Sequence, residues 1–192
     1  MQISFRWLKR LAVGLIVIGL ASCGETPVVD TKPAPLGDFK LGFAVVVAKN
    51  AQKGPLSRDA TPEEWVAMIK PEIERIYSVY EGDRFYHISI TVEGYVLAIP
   101  GIPLVASPKS GVVVSLNVWD DARQVRILEE NKQFTVLEAI SAKSMFGSGL
   151  TQSSEEQMAS LTKSIMKQVQ AYLKKNADAF RPDSPIAEPK DS

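Results

Sequence analysis

Apolar positions in this chain recur with two spacings. Over residues 85–97, Ile88, Ile90 and Val92 alternate with His87, Ser89, Thr91 and Glu93, which predicts a strand with one buried face. Gly94 interrupts that alternation and marks a candidate bulge. Residues 111–119 place Val112, Val114, Leu116 and Val118 on one face of a second strand, and Phe134 and Val136 alternate in a third over 132–138. Residues 41–48 are apolar throughout and rich in β-branched side chains, which predicts a strand buried on both faces. Residues 123–128 fit a short helix, a strand or a loop.

The second spacing is helical. Thr61 can cap a helix, Pro62 suits its first position and Glu64 completes a capping box. Trp65, Ile69, Ile73, Ile76 and Tyr80 then share one face. Pro71 falls on the opposite face, so a kink is expected rather than a stop, and Gly82 is expected to end the helix. Ser153-Ser154-Glu155-Glu156 opens a second helix, with Met158, Leu161, Ile165, Val169 and Tyr172 on its buried face and Lys163, Lys167 and Lys174 on the far one. The order is β-α-β-β-β-α. The expected fold class is α+β: a two-layer sandwich, a mixed sheet of about four strands with two helices on one face.

Composition narrows the picture. The chain has 192 residues, 45% of them hydrophobic and 23% charged, which excludes a wholly disordered or fibrous protein. Basic and acidic residues balance at 22 each, so nothing marks a nucleic-acid partner. A single Cys excludes an intrachain disulfide framework and a multi-cysteine metal cluster.

That one cysteine stands at a telling place. Arg6, Lys9 and Arg10 precede a ten-residue apolar run, residues 11–20, too short for a permanent membrane span. The run ends in Leu20-Ala21-Ser22-Cys23. This resembles the lipobox of bacterial lipoproteins. The resemblance implies that residues 1–22 are a signal peptide cut before Cys23, that the Cys23 sulfur takes a diacylglyceryl group, and that the new amino terminus is acylated. Several acyl chains anchor stably where one does not, at about 0.8 kcal/mol per buried CH₂. Gly24, rather than Asp, follows the cysteine and by the same resemblance favours the outer membrane, facing the periplasm. Removing residues 1–22 leaves a net charge of −3, so attachment must come mainly from the lipid. The expected organisation is a signal peptide over 1–22, a lipidated Cys and Pro-rich tether over 23–38, a periplasmic domain over 39–180, and a disordered tail over 181–192 holding Pro182, Pro185 and Pro189.

Candidate chemistry is thin. Ser160–Lys163 and Ser164–Lys167 match the Ser-x-x-Lys of penicillin-recognising enzymes, and Lys109-Ser110-Gly111 resembles their Lys-Thr-Gly. The order is reversed, and those lysines lie on the expected solvent face. His87 is the only histidine. With Asp120 and Asp121 it could serve a hydrolase if all three met in a cleft. Asp120 and Asp121 could instead hold a cation with Glu129 or Glu130, or form a turn. No catalytic residue, metal ligand or cofactor is assigned on this basis.

The binding signal lies in two loops. Residues 99–108 join two strands and carry Ile102, Leu104 and Val105 among three prolines; residues 144–150 carry Met145 and Phe146 between serines and glycines. Apolar loop residues either tuck beneath a domain or, when two such loops stand side by side, form a patch for a partner or ligand. The element order with the lipobox is similar to small accessory lipoproteins of the Gram-negative envelope, of the lipopolysaccharide-assembly and lipid-transport auxiliary types. This likeness of architecture implies a non-enzymatic binding module held to the membrane by its lipid, with an envelope protein or a lipid as partner and no nucleic acid. The alternatives are a structural lipoprotein that holds peptidoglycan through Lys163, Lys167 and Lys174, and the hydrolase above.

Overall fold

The computed structural model describes residues 35–99, 110–138 and 152–184. The chain divides into two units, Met1–Thr31 and Lys32–Ser192, and every described residue belongs to the second. Its elements run β1 (Phe39–Val47), β2 (Gln52–Lys53), α1 (Pro62–Tyr77), β3 (Arg84–Val96), β4 (Gly111–Asp120), β5 (Val125–Arg126), β6 (Lys132–Leu137), α2 (Ser154–Lys175) and a closing 3-10 turn (Ala177–Phe180).

Both helices begin where their local chemistry directs. The Thr61 hydroxyl accepts from the Glu64 N–H at 3.2 Å, and the Glu64 carboxylate accepts from the Thr61 N–H at 2.6 Å. Ser153 and Glu156 repeat the device at 3.1 and 2.8 Å. Two otherwise unsatisfied donors are thus paired at each start. Pro71 lies inside α1 on its exposed side, and the helix continues past it. The helix does not reach Gly82. It ends at Tyr77, with Ser78 as its cap in ordinary right-handed geometry, so Tyr77 rather than Tyr80 completes the buried face. Gly82 serves instead at the start of the sheet. A Cβ there would overlap the Asp38 carbonyl, and its N–H donates to the Phe39 carbonyl at 3.0 Å. Only a glycine lets these strands' first residues come so close.

The sheet is mixed and open. β1 runs parallel to β3, joined through α1; β3 pairs antiparallel with β4, and β4 antiparallel with β6. The two-residue strands extend the outer ribbons, β2 along β3 and β5 along β4. α1 packs on β1, α2 on β4 and β6, and the helices touch each other. This is the expected α+β two-layer sandwich, with two short strands added; residues 123–128 supply one of them. Between the layers lie Trp65, Ile69 and Ile73 of α1, Leu161, Ile165 and Val169 of α2, and Ile88, Ile90, Val114 and Leu116 of the sheet. Each such side chain contributes about 1.5–3 kcal/mol on burial.

Two features depart from the sequence pattern. The extra residue of the bulge in β3 is Glu93, between the pairs Val92–Val114 and Gly94–Val113; it shifts the alternation so that Tyr95 and Leu97 turn inward. β1 is not buried on both faces. It is the edge strand, and Phe43, Val45 and Val47 are 70%, 43% and 41% exposed. The folded body is also a few residues wider than 39–180. Leu36 is buried, and the Arg123 guanidinium donates to the Ser184 carbonyl at 2.8 Å. Near Leu36, Phe39 stacks on Tyr86 with ring centroids 5.3 Å apart, and Phe180 meets both rings edge-on.

Candidate functional site

Cys23, Ile102, Leu104, Val105, Met145 and Phe146 all lie outside the described residues. The stems of the two apolar loops are described, and they converge. Val96 ends β3 opposite Gly111, which opens β4 opposite Leu137, the last residue of β6. Both loops therefore spring from three neighbouring strands at one end of the sheet. The chain enters the sheet at the other end, where Phe39 pairs with Arg84.

The stems are tied together by hydrogen bonds. Ser110 is buried; its hydroxyl accepts from the Ala98 N–H at 3.2 Å and its carbonyl from the Glu138 N–H at 2.8 Å. Arg58 reaches across from the segment after β2. Its Nε donates to the Ala98 carbonyl at 2.8 Å and its terminal nitrogen to the Gln152 carbonyl at 2.6 Å. One guanidinium thus joins the outgoing stem of the first loop to the incoming stem of the second. Gln157, buried in the first turn of α2, donates to the same Ala98 carbonyl at 3.2 Å. Arg58 is itself held by its N–H to the Leu97 carbonyl at 2.9 Å, and the adjacent Ser57 hydroxyl accepts from the Leu97 N–H at 2.8 Å. Sequence reasoning missed Arg58 and Gln157, and met Ser110 only within Lys109-Ser110-Gly111, as a likeness to a catalytic motif rather than as a brace. The only local trace is an isolated Arg in a Gly- and Pro-containing linker, which by itself points nowhere.

The two aspartates part company, and only Asp121 meets the histidine. Strand alternation sends Asp120 inward and leaves Asp121 outside. Asp120 is fully buried and accepts from Arg84 and from the Arg123 side chain at 2.8 Å each, and from the Arg123 N–H at 3.1 Å. Burial pushes its carboxyl up, but the bonds from Arg123 and Arg84 outweigh that and hold it below the usual carboxylate range. The same bond to Asp120 raises the Arg84 guanidinium. Asp121 meets His87: Nε2 lies 3.0 Å from its carboxylate. The other ring nitrogen, Nδ1, accepts the Phe43 N–H at 3.0 Å. Nδ1 is therefore unprotonated and Nε2 carries the hydrogen, so no lone pair is left to take a proton from a nucleophile. His87 latches the bulge in β1, where Gly42 makes room for its ring.

The other candidates stay apart. Glu129 pairs with Lys132 and Glu130 with Arg126 in local salt bridges. Among the described residues no three His, Cys, Asp or Glu side chains gather as a metal site would need. Lys163, Lys167 and Lys174 are exposed, and the Ser164 hydroxyl donates to the Ser160 carbonyl within the helix. A shallow cleft of about 390 Å³ lies between β1 and α1, lined by Val46, Val47, Ala48, Pro62, Val66 and Ala67, with Lys49 and Glu63 at its rim. Among the described residues no helix is long and apolar enough to cross a membrane.

No protein-family model matches the chain, and no curated protein matches it in sequence. Solved structures align with it at low scores. A Xanthomonas campestris protein of the DUF330 family is 14% identical with a TM-score of 0.45, covering 77% of this chain and 90% of that one. A hypothetical protein from Chlamydia trachomatis is 11% identical with a TM-score of 0.34, covering 70% and 97%. A Helicobacter pylori homologue of a neuraminyllactose-binding hemagglutinin is 10% identical with a TM-score of 0.36, covering 77% and 93%. At these scores the likeness carries no argument about function.

Proposed function

We propose that this chain is a lipid-anchored envelope protein, moored in the outer membrane through Cys23 and facing the periplasm. It acts as a non-enzymatic binding or accessory module for another envelope protein or a lipid. The observation that carries the reading is the convergence of the two loop stems. Ala98, Ser110, Glu138 and Gln152, which flank the two apolar segments in sequence, are tied together at one end of the sheet by Arg58 and Ser110. A braced platform from which two apolar segments continue suits recognition of a partner. His87, the one histidine, has both ring nitrogens engaged, which weighs against the hydrolase. Anchoring would raise the effective concentration of the loops at partners in the same membrane.

Two experiments separate the parts of this reading. Cys23→Ser should block processing, leave a product that keeps residues 1–22 and lacks the acyl groups, and remove the chain from the outer-membrane fraction; an unaltered mass and fractionation would refute the anchor. Ile102→Asp with Leu104→Asp should abolish partner cross-linking in whole membranes and leave the melting temperature unchanged. If the domain unfolds instead, those residues belong to the core and the loop reading fails.

A further inference from the structure

We infer that His87 is a proton-operated latch: acid releases the bulge of β1 from β3, and neutral solution closes it. The latch is independent of the lipid anchor and of the two apolar segments, and every group in it belongs to the described residues.

Its origin is the register of β1. Leu41 pairs with Tyr86 and Ala44 with Ile88, so Gly42 and Phe43 both stand opposite His87. A bulge leaves its extra residue out of the ladder. The Phe43 N–H accordingly finds a side chain in place of a carbonyl, and donates to His87 Nδ1 at 3.0 Å. A Cβ on Gly42 would stand 2.4 Å from Nδ1, so the ring is seated against the backbone of the bulge itself. The exposed ring of Phe43 lies beside it, centroids 5.0 Å apart.

The nature of the acceptor decides what this bond does. A backbone carbonyl remains an acceptor throughout the physiological range, whereas an imidazole takes up a second proton between about pH 8 and pH 5. The lone pair of Nδ1 holds either that proton or the Phe43 hydrogen, never both. Protonation and closure therefore exclude each other. The protonated ring carries two N–H donors and sets one of them against the Phe43 N–H. It also has a place to go. Nε2 keeps its 3.0 Å contact with the Asp121 carboxylate, now as an ion pair, and the partly exposed ring can turn its Nδ1–H to water. The released form binds one proton more than the latched form, so falling pH favours release.

The charged neighbours keep that sign. Asp121, from the turn after β4, is bonded to the ring and favours the imidazolium. On β4, Trp119 pairs with His87, and Asp120 is turned inward onto Arg84 and Arg123. On β5, Arg126 lies over the Trp119 ring and is paired with Glu130. On β1, the charges nearest in sequence are Lys40, over the Phe85 ring, and Lys49.

The test follows amide exchange in the full chain in detergent, with each rate divided by the unstructured-chain rate at the same pH. Protection of the Phe43 amide should fall about tenfold or more from pH 7.5 to pH 5, while Ile90 and Leu116 in the middle of the sheet keep theirs. Nitrogen-15 shifts of the imidazole should show Nδ1 gaining its proton over the same range. Gly42→Ala should push the ring aside and hold Phe43 at its acid level of protection at both pH values. His87→Asn, which does not titrate, should abolish the pH dependence at whatever level of protection it gives, and Asp121→Asn should move the fall to lower pH. Equal Phe43 protection at both pH values, a fall shared by Ile90 and Leu116, or a fall that persists in His87→Asn would overturn the latch.

Discussion

Replacing Asp120 by Asn keeps the shape of the side chain and removes its charge. In the native chain one carboxylate oxygen accepts from both Arg84 and Arg123 at 2.8 Å, while the other takes the Arg123 N–H at 3.1 Å. Asn can keep the backbone bond, but its NH₂ then faces two guanidiniums, donor against donor. A hydrogen bond to a charged group is worth about 1.5–3 kcal/mol, and the low end applies because both arginines reach water. Two such bonds make the expected loss about 3 kcal/mol. For a domain of this size that lowers the melting temperature by roughly 6–12 °C. The pH dependence gives a second signature. The folded Asp120 carboxyl lies below its unfolded value, so its contribution is complete above about pH 4 and is lost as pH falls through the folded value. Asn does not titrate. Thermal melts followed by circular dichroism should therefore show a constant gap between wild type and Asp120→Asn from pH 5 to 8, closing as pH falls below about 4. A gap under about 1 kcal/mol at pH 7, or one of equal size at pH 3, would refute the assignment of that stability to the carboxylate.

Three further substitutions probe other contacts. Gly82→Ala forces a Cβ against the Asp38 backbone and should cost about 2–3 kcal/mol in thermal melts; a neutral change would mean that the start of β1 can move aside. Arg58→Met removes both stem bonds, should cost about 1–2 kcal/mol, and should speed amide exchange around Ala98 and Gln152 while the centre of β4 stays protected. His87→Leu should cost about 1 kcal/mol and selectively raise exchange at the Phe43 amide; unchanged protection there would show that the ring nitrogen is not its acceptor.

What can be read from the sequence follows from how local the causes are. Thr61 with Glu64, and Ser153 with Glu156, bond three residues apart, so both helix starts are legible in the sequence. The alternation in β3 and β4 is legible because one face of each is covered by helices. The apolar run in β1 reads as a strand buried on both faces, because hydrophobicity cannot distinguish an interior strand from an edge. Its place at the edge follows from the parallel crossover through α1, which is a matter of topology. Gly82 resembles a helix end; its close approach to Asp38 joins residues 44 apart. Arg58 cannot be found either, since its partners lie 40 and 94 residues away. Asp120 and Asp121 read as a pair, whereas strand geometry turns neighbours to opposite faces and gives them unrelated partners.

The opposed ends of the sheet have a mechanical consequence. The chain enters beside Phe39 and the loop stems leave beyond Val96, separated by the 13 residues of β3, or about 43 Å. A pull between entry and stems runs along β1 and β3, which are parallel and start together. It loads their ladder in shear, so the bonds from Phe39 to Val47 must yield as a group instead of opening singly from one end. The stacked rings of Phe39 and Tyr86 sit where that load enters, and the same arrangement carries the stems outward by the full length of the longest strand.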